Sequence, residues 1–169
     1  MSGEQNYKKI VSEIEKSGKA IYYTKGFSML PMLKEGRDMS VLVPINRELK
    51  RGDVVLFVRE NKGNQLVLHR IIRPIGDNGF IIRGDNTYLD EPVKKEDIKA
   101  VLSGFFRKGK YIDCEKSRGY RFYSFLQLRL YFLRKFFLKT IRVLLAKIKN
   151  NVFHLNSLHL NDILGIKRD

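Results

Sequence analysis

Cysteine is nearly missing from this chain. Cys114 is the only one in 169 residues, which excludes an internal disulfide and fits a reducing compartment. Histidine is almost as scarce. His69, His154 and His159 show neither HExxH nor Cys–His spacing, so no metal site is expected and no cofactor is called for. No window approaches the ~18 uncharged apolar residues that a membrane-spanning helix needs. In the greasy C-terminal stretch 116–149 the longest uncharged run is FYSFLQL. The opening MSGEQNYKKIVSEIEKSGKA has no apolar core, so no secretory signal is expected. There is no internal repeat and no alternating βαβ pattern.

Acidic residues are the most telling absence. None occurs from 116 to 161, where ten Lys and Arg do. The whole chain carries a formal charge of +15. Such an excess predicts anionic partners, either nucleic acid or an acidic lipid surface.

What is present divides the chain into three parts. Residues 1–19 form an N-terminal segment in which 5–17 read as a short amphipathic helix, with Ile10, Val11 and Ile14 on one side. Residues 20–115 are β-rich: AIYYTKG, MSVLVPI, DVVLFVRE, QLVLHRII, GFIIRGD, IKAVLSGFFRKG and KYIDC alternate with Gly, Asn and Asp turns. Short strands with frequent turns imply a mainly β fold, a meander or partly closed barrel. Residues 116–169 change character again. Leu126, Leu130, Leu133, Phe137, Ile141, Leu144 and Ile148 recur every three or four residues, and Arg121, Arg129, Lys135, Lys139, Arg142, Lys147 and Lys149 fall mostly opposite. A basic amphipathic helix of this kind predicts that residues 118–149 lie on an anionic membrane surface. Packing against the β region or a partner is the alternative. Nucleic acid ranks last, because the aromatics lie on the apolar side rather than among the basic residues. The tail after 149 suggests a second short helix.

The chemistry points to KGFSMLPMLKEGRD, residues 25–38. Ser28 sits in an apolar loop, which by itself suits a turn residue as well as a nucleophile. A serine hydroxyl needs a base within hydrogen-bond reach. The β region holds one histidine, His69, and strand alternation puts Val67, His69 and Ile71 on one face. That position suits a satisfied core histidine or a general base. Asp85 follows Gly84 where a strand breaks, as an Asx-turn residue or as the group that orients His69.

The boxes FSMLPML, LKRGDVVLF, LVLHRII and IIRGDN occur in an order that resembles the signal peptidase I family over residues 20–107, about half the chain. The base position holds His69 rather than lysine, which resembles the Ser–His branch of the endoplasmic reticulum and archaea. The resemblance implies a signal-peptidase/LexA-like β-fold, a partly closed coiled sheet, and a serine endopeptidase that cleaves signal or leader peptides. It implies Ser28 as nucleophile, His69 as general base and Asp85 as the third member, with Asp90 as a second candidate for that role. The Ser28 N–H would be one oxyanion donor. Gly26 would let the backbone pass close to substrate, Pro31 would fix the turn, and Met29 and Leu30 would help line an apolar pocket floor. The substrate would be an extended peptide or preprotein.

Three features depart from that pattern. Met32 follows Pro31 where Thr or Ser is usual, and the Gly-Asp after the box is stretched to Gly36-Arg37-Asp38. The family's N-terminal transmembrane anchor has no counterpart here, so the basic helix is expected to substitute for it on the cytoplasmic face, where acidic lipids concentrate. The chain would then trim leader peptides, or act with a membrane transporter or a peptide-biosynthesis partner. Two other readings keep the fold: a LexA-like self-cleaving peptidase, disfavoured by His69 and the lack of an Ala-Gly site, and a non-catalytic membrane- or protein-binding module.

Overall fold

The computed structural model describes residues 3–59 and 63–131, and beyond them 133, 136, 137, 140, 141 and 143–145, all helical. Lys135, Lys139, Arg142, Lys147, Ile148, Lys149, His154, His159 and the expected tail helix lie outside the described residues. The chain forms two compact units, Met1–Tyr131 and Phe132–Asp169. No described helix is long and apolar enough to cross a membrane.

The first unit is mainly β. Helix α1 (Gly3–Ser17) is followed by β1 (Ala20–Tyr22), β2 (Asp38–Val43), β3 (Val54–Arg59), β4 (Gln65–Ile75), β5 (Gly79–Arg83), β6 (Glu91–Lys94), β7 (Ile98–Arg107), β8 (Lys110–Asp113) and α2 (Arg118–Arg129). The strands make one open antiparallel sheet in the order β1-β2-β7-β3-β4-β5-β6, with β8 added to β7. Strand β6 was not expected from the sequence. It carries Pro92 and occupies the sheet edge, where a missing backbone donor is tolerated.

Strand β3 explains why both faces of the sheet are covered. Its VVLFV run is buried throughout. Val54 and Leu56 join one apolar cluster, with Ile10 and Ile14 of α1, Met29, Met32, Leu33 and Phe105. Val55 and Phe57 join the other, with Val67, Ile71, Phe80 and Ile82. Each such side chain contributes ~1.5–3 kcal/mol when fully buried, enough to hold a sheet that has no disulfide. Register shifts at Val41/Leu42, Leu56/Phe57 and Ile71/Arg73 mark bulges, which bend and twist strands. The edge strand β1 comes back toward the interior strand β4: the Tyr22 hydroxyl of β1 donates to the Leu66 carbonyl of β4 at 3.4 Å, although three strands separate β1 and β4 in the sheet. Helix α1 contacts both strands. It ends at Gly18, whose φ of +71° favours glycine and whose N–H donates to the Ile14 carbonyl.

Cys114 closes β8 in the first cluster, its N–H bonded to the Ser103 carbonyl. Burial pushes its thiol up to about 12.

Candidate active site

Ser28 lies in the loop between β1 and β2. Two anchors fix that loop. Met29, Met32 and Leu33 turn inward and are buried in the core. At its far end the buried carboxylate of Asp38 accepts from Arg37 Nε at 2.9 Å, from Arg107 Nε at 2.8 Å and from the Lys34 N–H at 2.8 Å. Both arginines also donate back to the loop, Arg37 to the Pro31 carbonyl and each of them to the Met32 carbonyl. The stretched Gly36-Arg37-Asp38 is therefore a tether, not a slack insertion. Between these anchors Ser28 remains half-buried. Only its carbonyl is engaged by hydrogen bonding among the described residues, and it accepts the Asn86 N–H at 2.7 Å.

That bond brings the β5–β6 connection onto the serine. A methyl group placed on Gly84 would lie 2.6 Å from the Ser28 carbonyl oxygen, 3.0 Å from Ser28 Cβ and 3.0 Å from His69 Nε2. Ser28 Cβ and His69 Nε2 are thus within twice 3.0 Å of each other, which puts the hydroxyl and the imidazole side by side across Gly84. Glycine is required here for close approach.

His69 shares the face of β4 with Val67 and Ile71, as alternation requires, and its ring lies 6.0 Å from that of Phe57. Its Nδ1 is buried and has no hydrogen-bond partner among the described residues. Burial lowers its pKa from 6.5 to about 4; Arg59 adds to the shift, and Glu91 and Asp85 oppose it. The imidazole is neutral at physiological pH, leaving Nε2 able to accept a proton when Nδ1 carries the hydrogen.

Asp85 is not placed to orient that ring. Its carboxylate accepts a bidentate pair from Arg70, Nε at 2.8 Å and the terminal nitrogen at 2.7 Å, and a third bond from the Tyr123 hydroxyl at 3.1 Å. Arg70 and Asp85 are both buried. Arg70 also donates to the Gly52 carbonyl, to the Ser124 hydroxyl at 2.7 Å and to Met32 Sδ at 3.1 Å. The reason is charge: a buried guanidinium needs a buried carboxylate, and a neutral imidazole cannot compete for it. Asp90 is engaged elsewhere too, accepting from the Tyr131 hydroxyl at 2.6 Å and lying 3.6 Å from Arg83. Met32, the departure after Pro31, is the sulfur partner of Arg70.

Ser28 and His69 open into one cleft of about 780 Å³. Ile21–Lys25 form one wall, Gln65–Leu68 the other, and Lys9, Ile10 and Glu13 of α1 contribute as well. The lining differs from the expectation. Met29 belongs to the core, Leu30 is half-buried and Pro31 exposed, and none of the three lines the cleft. Gly26 has open space beside it, so its φ of +79°, not close approach, favours glycine there. Phe27 and Thr87 take part instead. Sequence reading missed Arg70, Tyr123 and Ser124. An arginine inside LVLHRII reads as a solvent-facing strand position, and nothing local signals that a later helix supplies its partners.

Three outcomes are expected. Gly84→Ala should cost ~1–3 kcal/mol, the usual range for overpacking, in urea unfolding. Asp85→Asn should cost ~3–5 kcal/mol, because it strands a buried charge; a loss under ~1 kcal/mol would mean that the carboxylate is not the structural partner of Arg70. The His69 imidazole should titrate near pH 4 by NMR. The unfolded chain then binds the extra proton first, so stability is fully present above pH 6.5 and declines as pH falls toward 4. His69→Gln should flatten that slope.

Comparison with models of protein families and with curated proteins found no match.

Proposed function

We infer that the chain is a serine endopeptidase with a Ser28–His69 dyad, resembling the Ser–His branch of the signal peptidase I family. One observation carries this reading: the serine and the imidazole Nε2 flank the same glycine at the mouth of one cleft. The open sheet whose edge strand β1 approaches β4 is compatible with the partly closed coiled sheet of that family and of LexA-like peptidases.

In this mechanism the Ser28 oxygen attacks the scissile carbonyl carbon while its proton passes to His69 Nε2. The Ser28 N–H, without a hydrogen-bond partner among the described residues, supports the developing oxyanion. The C–N bond then breaks, the amine leaves with the proton from His69, and the peptide remains as an ester on Ser28. A water molecule attacks that ester, gives its proton to His69 and releases the acid, and Ser28 recovers its proton. A base with a pKa near 4 is fully unprotonated at neutral pH, but weaker than one poised near 7. With Nδ1 unpartnered, the imidazolium relies on the more distant Glu91 and Asp85. An extended peptide suits the cleft, because β1, whose Ile21 and Tyr22 line it, is an edge strand of the sheet. Arg70 and Asp85 hold the frame, and Asp85 acts on the ring only through its charge.

The unpartnered Nδ1 also favours a second reading, a binding module on the same fold with an idle serine.

A fluorophosphonate probe separates the two. The enzyme should be labelled at Ser28, and Ser28→Ala should abolish labelling. His69→Ala should lower labelling and peptide cleavage by ~10³-fold or more with the fold retained, because nucleophile and base act as a unit. Cleavage by the native chain should be lost only as pH falls through about 4. A folded protein that never labels, or one that stays active as His69→Ala, would falsify the dyad.

A further inference from the structure

We propose that the outward face of α2 is a docking surface for anionic lipid. The inward side of this helix is spent on the sheet: Tyr123 and Ser124 bond the Arg70–Asp85 pair, the Arg51 guanidinium donates to the Leu128 carbonyl, and Tyr120 packs against the first core cluster. At 100° per residue, Arg118, Arg121, Phe122, Phe125 and Arg129 fall together on the other side, and all five are exposed. Phe122 and Phe125 are 64% and 51% exposed. The Arg129 guanidinium lies 5.5 Å from the centre of the Phe125 ring.

The composition of this face selects its partner. Two uncovered phenyl rings ringed by three guanidiniums, with no carboxylate between 116 and 161, match an interface that offers apolar depth beneath a layer of phosphates. The second unit has the same chemistry: Leu133, Phe136, Phe137, Ile141, Leu144 and Leu145 are all at least half exposed. Over α2 the arrangement differs from the expected one, which set basic and apolar residues on opposite sides. Here they share the exposed face, because the inward side is taken. The proposal is independent of the serine chemistry, and its test does not measure cleavage.

The chain contains no tryptophan, so Phe125→Trp supplies a single fluorescent reporter. Its emission should shift to the blue with vesicles of phosphatidylcholine and phosphatidylglycerol, not with phosphatidylcholine alone, and salt should reverse the shift. Each basic group near such a surface strengthens partitioning about fivefold, so Arg118→Ala/Arg121→Ala/Arg129→Ala should weaken it on the order of 100-fold. The unaltered full-length chain should float with the phosphatidylglycerol vesicles, which guards against a reporter that disturbs the helix. Failure to float, equal binding to neutral vesicles, or an undiminished triple variant overturns the proposal. So does a blue shift produced equally by double-stranded RNA or by raising protein concentration alone.

Discussion

The buried pairing of Arg70 with Asp85 is the constraint from which the rest of the first unit is organised. Two charges removed from water cannot be left half-matched, since an unpaired one costs several kcal/mol. The chain meets that demand from four places: Asp85 from the turn after β5, the Gly52 carbonyl from the turn before β3, Met32 from the serine loop, and Ser124 with Tyr123 from α2. Segments far apart in sequence are thus held to one point, a step in sequence from both His69 and Gly84. The same apolar surroundings that make the ion pair demanding keep the imidazole uncharged.

This explains why Asp85 does not join Ser28 and His69 as a third hydrogen-bonded group. A carboxylate with three donors has little left to offer a neutral ring, and the ring nitrogen that would use it is enclosed. What aligns His69 is its packing between Val67 and Ile71 on a strand paired on both edges. What aligns Ser28 is its carbonyl, bonded to Asn86. Positioning is done by backbone and core, with side-chain electrostatics in a secondary place.

The parts of this arrangement that could be read from the sequence are those set by short-range rules. Strand periods, the turn glycines and the Ile10/Ile14 face of α1 follow from local pattern, and so does the shared face of Val67, His69 and Ile71. The approach of Ser28 to His69 was legible only through the ordered boxes, because no local rule brings residues 28, 69 and 84 together. The fate of Asp85 was not legible at all. Gly-Asp-Asn looks the same whether its carboxylate meets a histidine or an arginine, and the choice is made by burial of a neighbouring strand residue and by a helix that starts more than thirty residues later. Met29 misled for a related reason: an apolar residue beside a nucleophile suits a pocket floor as well as a core, and only the inward turn of the loop decides.

Cys114 shows how far α2 is part of the folding unit. Its thiol is shielded in the core cluster that also receives Tyr120 of α2, and burial keeps it in the unreactive protonated form. Being the chain's lone sulfhydryl, it is a natural sentinel: an alkylating reagent that reaches it has caught the moment when helix and sheet part company. The rate of that capture would time the opening of the scaffold behind the Ser28 and Gly84 loops while those loops remain unmodified.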